Sequence, residues 1–179
     1  MTRGAGTILL ALVTGALLAG CTPEPSTPTP TPTFTSDDDA FAAAEATYRA
    51  YVDALNQVDL SDPATFEPVY AWTTGELNAS DRTTYSEWHA EGYQIVGEAS
   101  ISSLRPATST SRQTATLLIT SCYDVSDVDV LDASGSSLVD ESRPGIQWLE
   151  VELVQTGGTT TGLALRSIGP ASGESPCSS

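Results

Sequence analysis

Asp124, Asp127, Asp129 and Asp132 stand within nine residues, and clustered carboxylates are the ligands a Ca²⁺ ion takes. The spacing argues against such a site. The glycine of the run falls at Gly135, and no glutamate follows at the distance an EF-hand loop requires. Along an extended chain, alternation sends Asp127 and Asp129 to one face and Asp124 and Asp132 to the other. These acids read as solvated turn residues, and no metal or cofactor is expected. His89 is the only histidine, which excludes a paired-histidine zinc site. There is no G-x-S-x-G elbow for a nucleophilic serine and no glycine-rich loop for a phosphate. Asn78-Ala79-Ser80 spells a glycosylation sequon and is read as coincidence. The chemistry that remains belongs to three cysteines, Cys21, Cys122 and Cys177.

Cys21 follows an apolar run, Ile8 to Leu18, preceded by a short start carrying Arg3. That run falls well short of the roughly 20 residues needed to span a bilayer and has the length of a signal-peptide core. Leu18-Ala19-Gly20-Cys21 resembles the lipobox of bacterial lipoproteins. The resemblance implies a signal peptide over 1–20 and a diacylglyceryl group on the Cys21 thiol. Two acyl chains attach a protein stably where one does so marginally. The mature chain would then be anchored in the cell membrane and face outward. Residues 22–36 hold five prolines and six threonines, the composition of an extended tether reaching up to about 45 Å at ~3.1 Å per residue. The expected organisation is a leader over 1–20, a lipidated cysteine and tether over 21–36, and one domain over 37–179.

With Cys21 lipidated, Cys122 and Cys177 form an even pair in an oxidising compartment, and a structural disulfide is expected. Closing a loop of that length is worth roughly 4 kcal/mol in the chain-entropy view. It would also pin the Gly- and Ser-rich tail onto the body. A redox-active pair would call for the CxxC spacing, which is absent.

Removal of residues 1–20 leaves six arginines and no lysine against 23 acidic side chains, a net charge near −17. Such a surface repels phosphate backbones, so no nucleic-acid partner is expected, while a cation-holding acidic surface stays in view. The 143 residues after the tether suffice for one domain with a core.

Ser36 followed by Asp37, Asp38 and Asp39 has the form of a helix start, with a capping hydroxyl and acids at the positive end of the dipole. Phe41, Ala44, Tyr48, Tyr51, Val52 and Leu55 then recur at helical spacing, predicting a helix over 38–57. Asp62-Pro63 starts a second helix over 63–72. A third spans 75–91, with Leu77, Tyr85 and Trp88 inward and Gly92 ending it. From Tyr93 the period changes to two. Strands are predicted over 93–101, 112–126, 145–155 and 160–168, with a shorter extended run at 128–131 and a tight hairpin at Thr156-Gly157-Gly158. The fold class is α+β, with three N-terminal helices packed on a curved four-stranded antiparallel sheet.

The order of these elements resembles the nuclear-transport-factor-2-like (cystatin-like cone) superfamily. It is also similar to lipoproteins of high-GC Gram-positive bacteria. The residues that carry the likeness are the lipobox, the Thr/Pro tether, the Tyr48–Tyr51 helix, Cys122-Tyr123-Asp124-Val125 and Pro176-Cys177. Enzymes of that fold place an Asp, His or Tyr inside the cone as acid or base. The resemblance therefore makes His89, Tyr48 and Asp124 the candidates here. His89 is expected at a half-exposed helix end, Tyr48 in the core, and Asp124 on the polar strand face away from the pocket. Trp148, beside Glu150 and Glu152, is expected to be exposed on the open sheet face, where cone domains pair. No catalytic constellation emerges. The expected function is a binding or interaction module anchored through Cys21, with an envelope protein as partner. The alternative is a small-pocket enzyme or a carrier of an apolar ligand inside the cone.

Overall fold

The computed structural model describes residues 34–107 and 116–177; the expected leader, Cys21 and the expected tether up to Thr33 lie outside them. Helix α1 (Asp37–Leu55) starts as its capping residues dictate, with the Ser36 hydroxyl accepting from the Asp39 amide at 3.0 Å. A 3₁₀ turn (Pro63–Phe66) runs into helix α2 (Glu67–Trp72), and the Asp62 carboxylate accepts from the Ala64 amide at its start. Helix α3 (Gly75–Glu91) ends at Gly92, whose φ of 71° is the left-handed value that a glycine supplies without penalty.

Six strands follow: β1 (Gln94–Val96), β2 (Ser100–Pro106), β3 (Thr116–Asp124), β4 (Asp129–Leu131), β5 (Ile146–Gln155) and β6 (Leu163–Pro170). Four of them make an antiparallel sheet in the order β2-β3-β5-β6. Three helices on a four-stranded antiparallel sheet is the α+β arrangement expected from the sequence. Ser102 in β2 and Arg166 in β6 are each left without a partner in the ladder, and such bulges bend the strands that carry them.

Two expectations need correction. The stretch 93–101 is not one strand. It breaks at Gly97, where φ is 78° and a Cβ would lie 1.9 Å from the Asp127 carbonyl oxygen. The chain on either side joins different sheets: β1 pairs with β4, and β2 starts the main sheet. Asn56 serves the edge at the break, donating to the Ala99 carbonyl and accepting from the Ala99 amide. The turn after β5 is also wider than the tight Thr156–Gly158 hairpin, closing through a bond from the Thr156 amide to the Gly162 carbonyl.

The inner face of the sheet and the α1 stripe make the core. Tyr48, Leu117, Ile119, Val151, Leu153 and Leu165 are all sealed from solvent. Burial of each such side chain stabilises the fold by roughly 1.5–3 kcal/mol. Thr47 enters this core because both its bonds are made, to the Ala43 carbonyl and the Thr161 hydroxyl. Among the described residues no helix is long and apolar enough to cross a membrane.

Candidate functional site

Helix α3 carries Leu77, Asp81, Tyr85 and Trp88 on one face, because spacings of four, four and three return to the same side of a helix. That face looks toward the end of α1 and the small β1–β4 sheet. Between them lies a cavity of about 280 Å³. Leu55, Ile95, Val128 and Val130 give it aliphatic walls, and Tyr85, Trp88 and Tyr123 give it aromatic ones. Its polar side chains are Asn56, Asp81, Thr84 and Arg143. Both amide atoms of Asn56 are already engaged with Ala99.

Asp81 and Arg143 are the chemically significant members. Asp81 Oδ2 is buried without a hydrogen-bond partner. Burial pushes its carboxyl from the ordinary aspartate value up to about 6, with the Thr73 hydroxyl opposing the shift. Arg143 donates through Nη2 to the carbonyls of Val125 and Val128, at 2.8 and 2.6 Å. Its Nε is buried and unpartnered, and no ion pair joins it to Asp81. Arg49, Arg82 and Arg166 each face a glutamate instead. One wall of the cavity thus presents an unneutralised cation, and another an uncompensated acid. Burial raises the Tyr123 hydroxyl as well, with Arg143 pulling it back.

A second hollow, of about 410 Å³, lies beside the first toward the β5–β6 edge of the sheet, lined by Tyr48, Tyr51, Leu77 and Leu149 among others. Leu55 and Tyr123 border both hollows. Burial raises the hydroxyls of Tyr48 and Tyr51 far above the phenol range, so both stay neutral.

The candidates implied by the resemblance do not come together. Tyr48 is 1% exposed, and burial dominates its hydroxyl, with Ser121 beside it. Its role is packing, and it borders only the second hollow. His89 is exposed and stands outside both hollows; its Nδ1 pairs with the Leu60 carbonyl at 2.6 Å, and its ring meets Phe66 edge-on. It ties α3 to the loop after α1. Asp124 lines neither hollow and accepts from the Ser126 amide, which holds its carboxyl below the ordinary value.

The acid cluster has a local explanation. Asp59, Asp124, Asp132 and Asp140 are each followed two residues later by a serine whose amide donates to the aspartate. This is an Asx turn repeated four times. Asp129 accepts from its neighbour Val130 and from the Ser137 hydroxyl. Among the described residues no three His, Cys or carboxylate side chains gather as metal ligands.

Cys122 and Cys177 are joined, with their Cα atoms 5.6 Å apart across a sequence separation of 55. The bond fixes the tail on the outer face of the sheet. Trp148, opposite Cys122 in the ladder, is consequently half-buried rather than exposed. The Ala171 amide bonds to its carbonyl, and Gly173 comes so close that a Cβ there would lie 3.7 Å from the indole.

No protein-family model and no curated protein matches this chain. Among solved structures it is similar to CagV, a VirB8 homolog of T4SS from Helicobacter pylori strain 26695. The identity is 10% and the TM-score 0.45, over 72% of this chain and 95% of that one. It is also similar to a de novo β-sheet design protein solved by NMR, at 12% identity and a TM-score of 0.25, over 79% of this chain and 92% of that one. At such TM-scores neither likeness carries a statement about function.

Proposed function

We propose that this chain is a lipid-anchored, outward-facing binding module of the cell envelope. Residues 1–20 serve as its signal peptide, Cys21 carries the lipid, residues 21–36 are the tether, and residues 37–179 form the binding domain. The observation that carries the binding reading is the cavity between α1, α3 and the β1–β4 pair. It is walled by aromatic and aliphatic side chains, yet holds Asp81 and Arg143 without a neutralising partner for either. Convergent polar groups in an apolar hollow are the usual form of a small-molecule site. The anchoring reading rests on Leu18-Ala19-Gly20-Cys21.

A second reading has an observation of its own. Burial raises the Asp81 carboxyl to about 6, toward the range in which a general base works, so an enzyme using Asp81 is the alternative.

Two measurements test the proposal. Cells expressing the chain are fed an alkyne-labelled fatty acid; label should appear on the wild type and vanish in Cys21→Ser. Label that persists in the variant would remove the anchor. Native mass spectrometry of the exported protein should show a bound small mass released on denaturation. A bare chain that also takes up neither the neutral apolar dye N-phenyl-1-naphthylamine nor a charged aromatic probe would end the ligand-pocket reading.

A further inference from the structure

The cavity's two charges point to the class of its ligand, and this inference rests on the cavity being a binding site. Arg143 is the arginine that lines the cavity, and it pairs with no carboxylate among the described residues. Arg49, Arg82 and Arg166 have each found a glutamate, whereas Arg143 leans on two backbone carbonyls. Those carbonyls fix the guanidinium in place without cancelling its charge. Its remaining nitrogens have no hydrogen-bond partner among the described residues. Nη2 spends both its hydrogens on those carbonyls and Nε is buried, so Nη1 is the nitrogen left to make a charge-assisted hydrogen bond to a carboxylate.

Asp81 is the complement. It stands on the α3 face that also presents Tyr85 and Trp88; its Oδ2 is buried without a donor, and Oδ1 is the oxygen open to a ligand. A carboxylate so placed accepts from an ammonium group. Aromatic faces nearby add attraction for a cation as well as apolar contact. A purely anionic ligand would meet Asp81 and the domain's strongly negative field. A purely cationic one would meet Arg143. A neutral apolar molecule would leave both charges desolvated and unpaired, which is costly.

We infer that the cavity takes a small zwitterion with an apolar body, the chemistry of a hydrophobic amino acid. Its carboxylate sits at Arg143, its ammonium at Asp81, and its side group lies against Tyr85, Trp88 and Tyr123. The cavity of about 280 Å³ has room for a molecule of that size.

The test is a calorimetric panel on the exported protein with four probes. L-Phenylalanine carries both charges, phenethylamine only the cation and 3-phenylpropionate only the anion; N-phenyl-1-naphthylamine is neutral. L-Phenylalanine should bind at least about tenfold more tightly than either one-charge analogue, as expected for one charge-assisted hydrogen bond gained. Asp81→Asn should then abolish its advantage over 3-phenylpropionate, and Arg143→Gln its advantage over phenethylamine. Equal binding of the three phenyl probes would overturn the inference. So would binding of the neutral dye alone, while leaving the pocket reading intact. Failure of all four probes would sink both. The wild-type panel decides the matter even if loss of the Val125 and Val128 bonds unfolds Arg143→Gln.

Discussion

Helix α1 is sealed at one end and hollow at the other. Ala40, Ala44 and Thr47, in its first half, are fully covered. Helix α1 packs on β3 and β6, and there Ile119, Val151 and Leu165 of the sheet are fully covered. One helical turn beyond Tyr51, Leu55 and Asn56 border a cavity instead. At the sealed end the polar Thr47 has both its bonds satisfied. The Ser121 hydroxyl beside Tyr48 is a neutral buried group without a partner, whereas at the open end the unpartnered buried atoms belong to the charged Asp81 and Arg143. Dense packing with every polar atom matched is what stability selects. Cavities and unmatched charges work against it, and their concentration at one end marks where the fold serves something else.

The contrast can be broken by truncating both ends. Ile119→Ala, at the sealed end, should cost about 4–5 kcal/mol, the upper part of the range for buried aliphatic truncation. The check is urea unfolding. Cys122→Ser releases the tail and should cost about 4 kcal/mol through the regained entropy of the unfolded chain. Its near-ultraviolet signal should also change as Trp148 loses its cover. Gly97→Ala, on the cavity rim, should cost about 1–3 kcal/mol because the left-handed backbone there is strained for alanine. That figure is a floor, since the added methyl meets the Asp127 carbonyl. Ile95→Ala, on the cavity wall, should cost about 1 kcal/mol or less, since the space it leaves adjoins a hollow already present. A loss at Ile95 as large as that at Ile119 would erase the distinction between the two ends.

Much of the sealed end was legible in the sequence. Ser36 and the three acids behind it announced α1, and the Tyr48–Tyr51–Val52 spacing announced its buried stripe. The cysteine pair followed from parity and export. Asp81 was missed, although it lies four residues from both Leu77 and Tyr85, on the stripe whose apolar members mark the inward face. A polar residue on such a stripe is the signal that locates it. Attention to residue type favoured His89, which the structure puts outside the cavity. Arg143 had no such signal, because it reaches the cavity from a loop whose path depends on the carbonyls it binds. The splitting of 93–101 was hidden for a related reason. Alternation continued through Gly97, and only the close approach of the Asp127 backbone forces the break.

The central claim is that the charge at the open end is held against the interest of the fold, and Asp81→Asn tests it in one measurement. The folded-state pKa of Asp81 is raised, so the folded chain binds this proton more tightly than the unfolded chain does. The associated stability is present at pH 4 and is lost as pH rises through about 6. Asparagine has no charge to desolvate. After discounting for the partial exposure of the site, Asp81→Asn should be more stable than wild type by about 1–2 kcal/mol at pH 8 and indistinguishable from it at pH 4. Urea unfolding of both proteins at the two pH values reads this directly. A variant less stable than wild type at pH 8 would show that the carboxylate supports the fold, and would contradict the account.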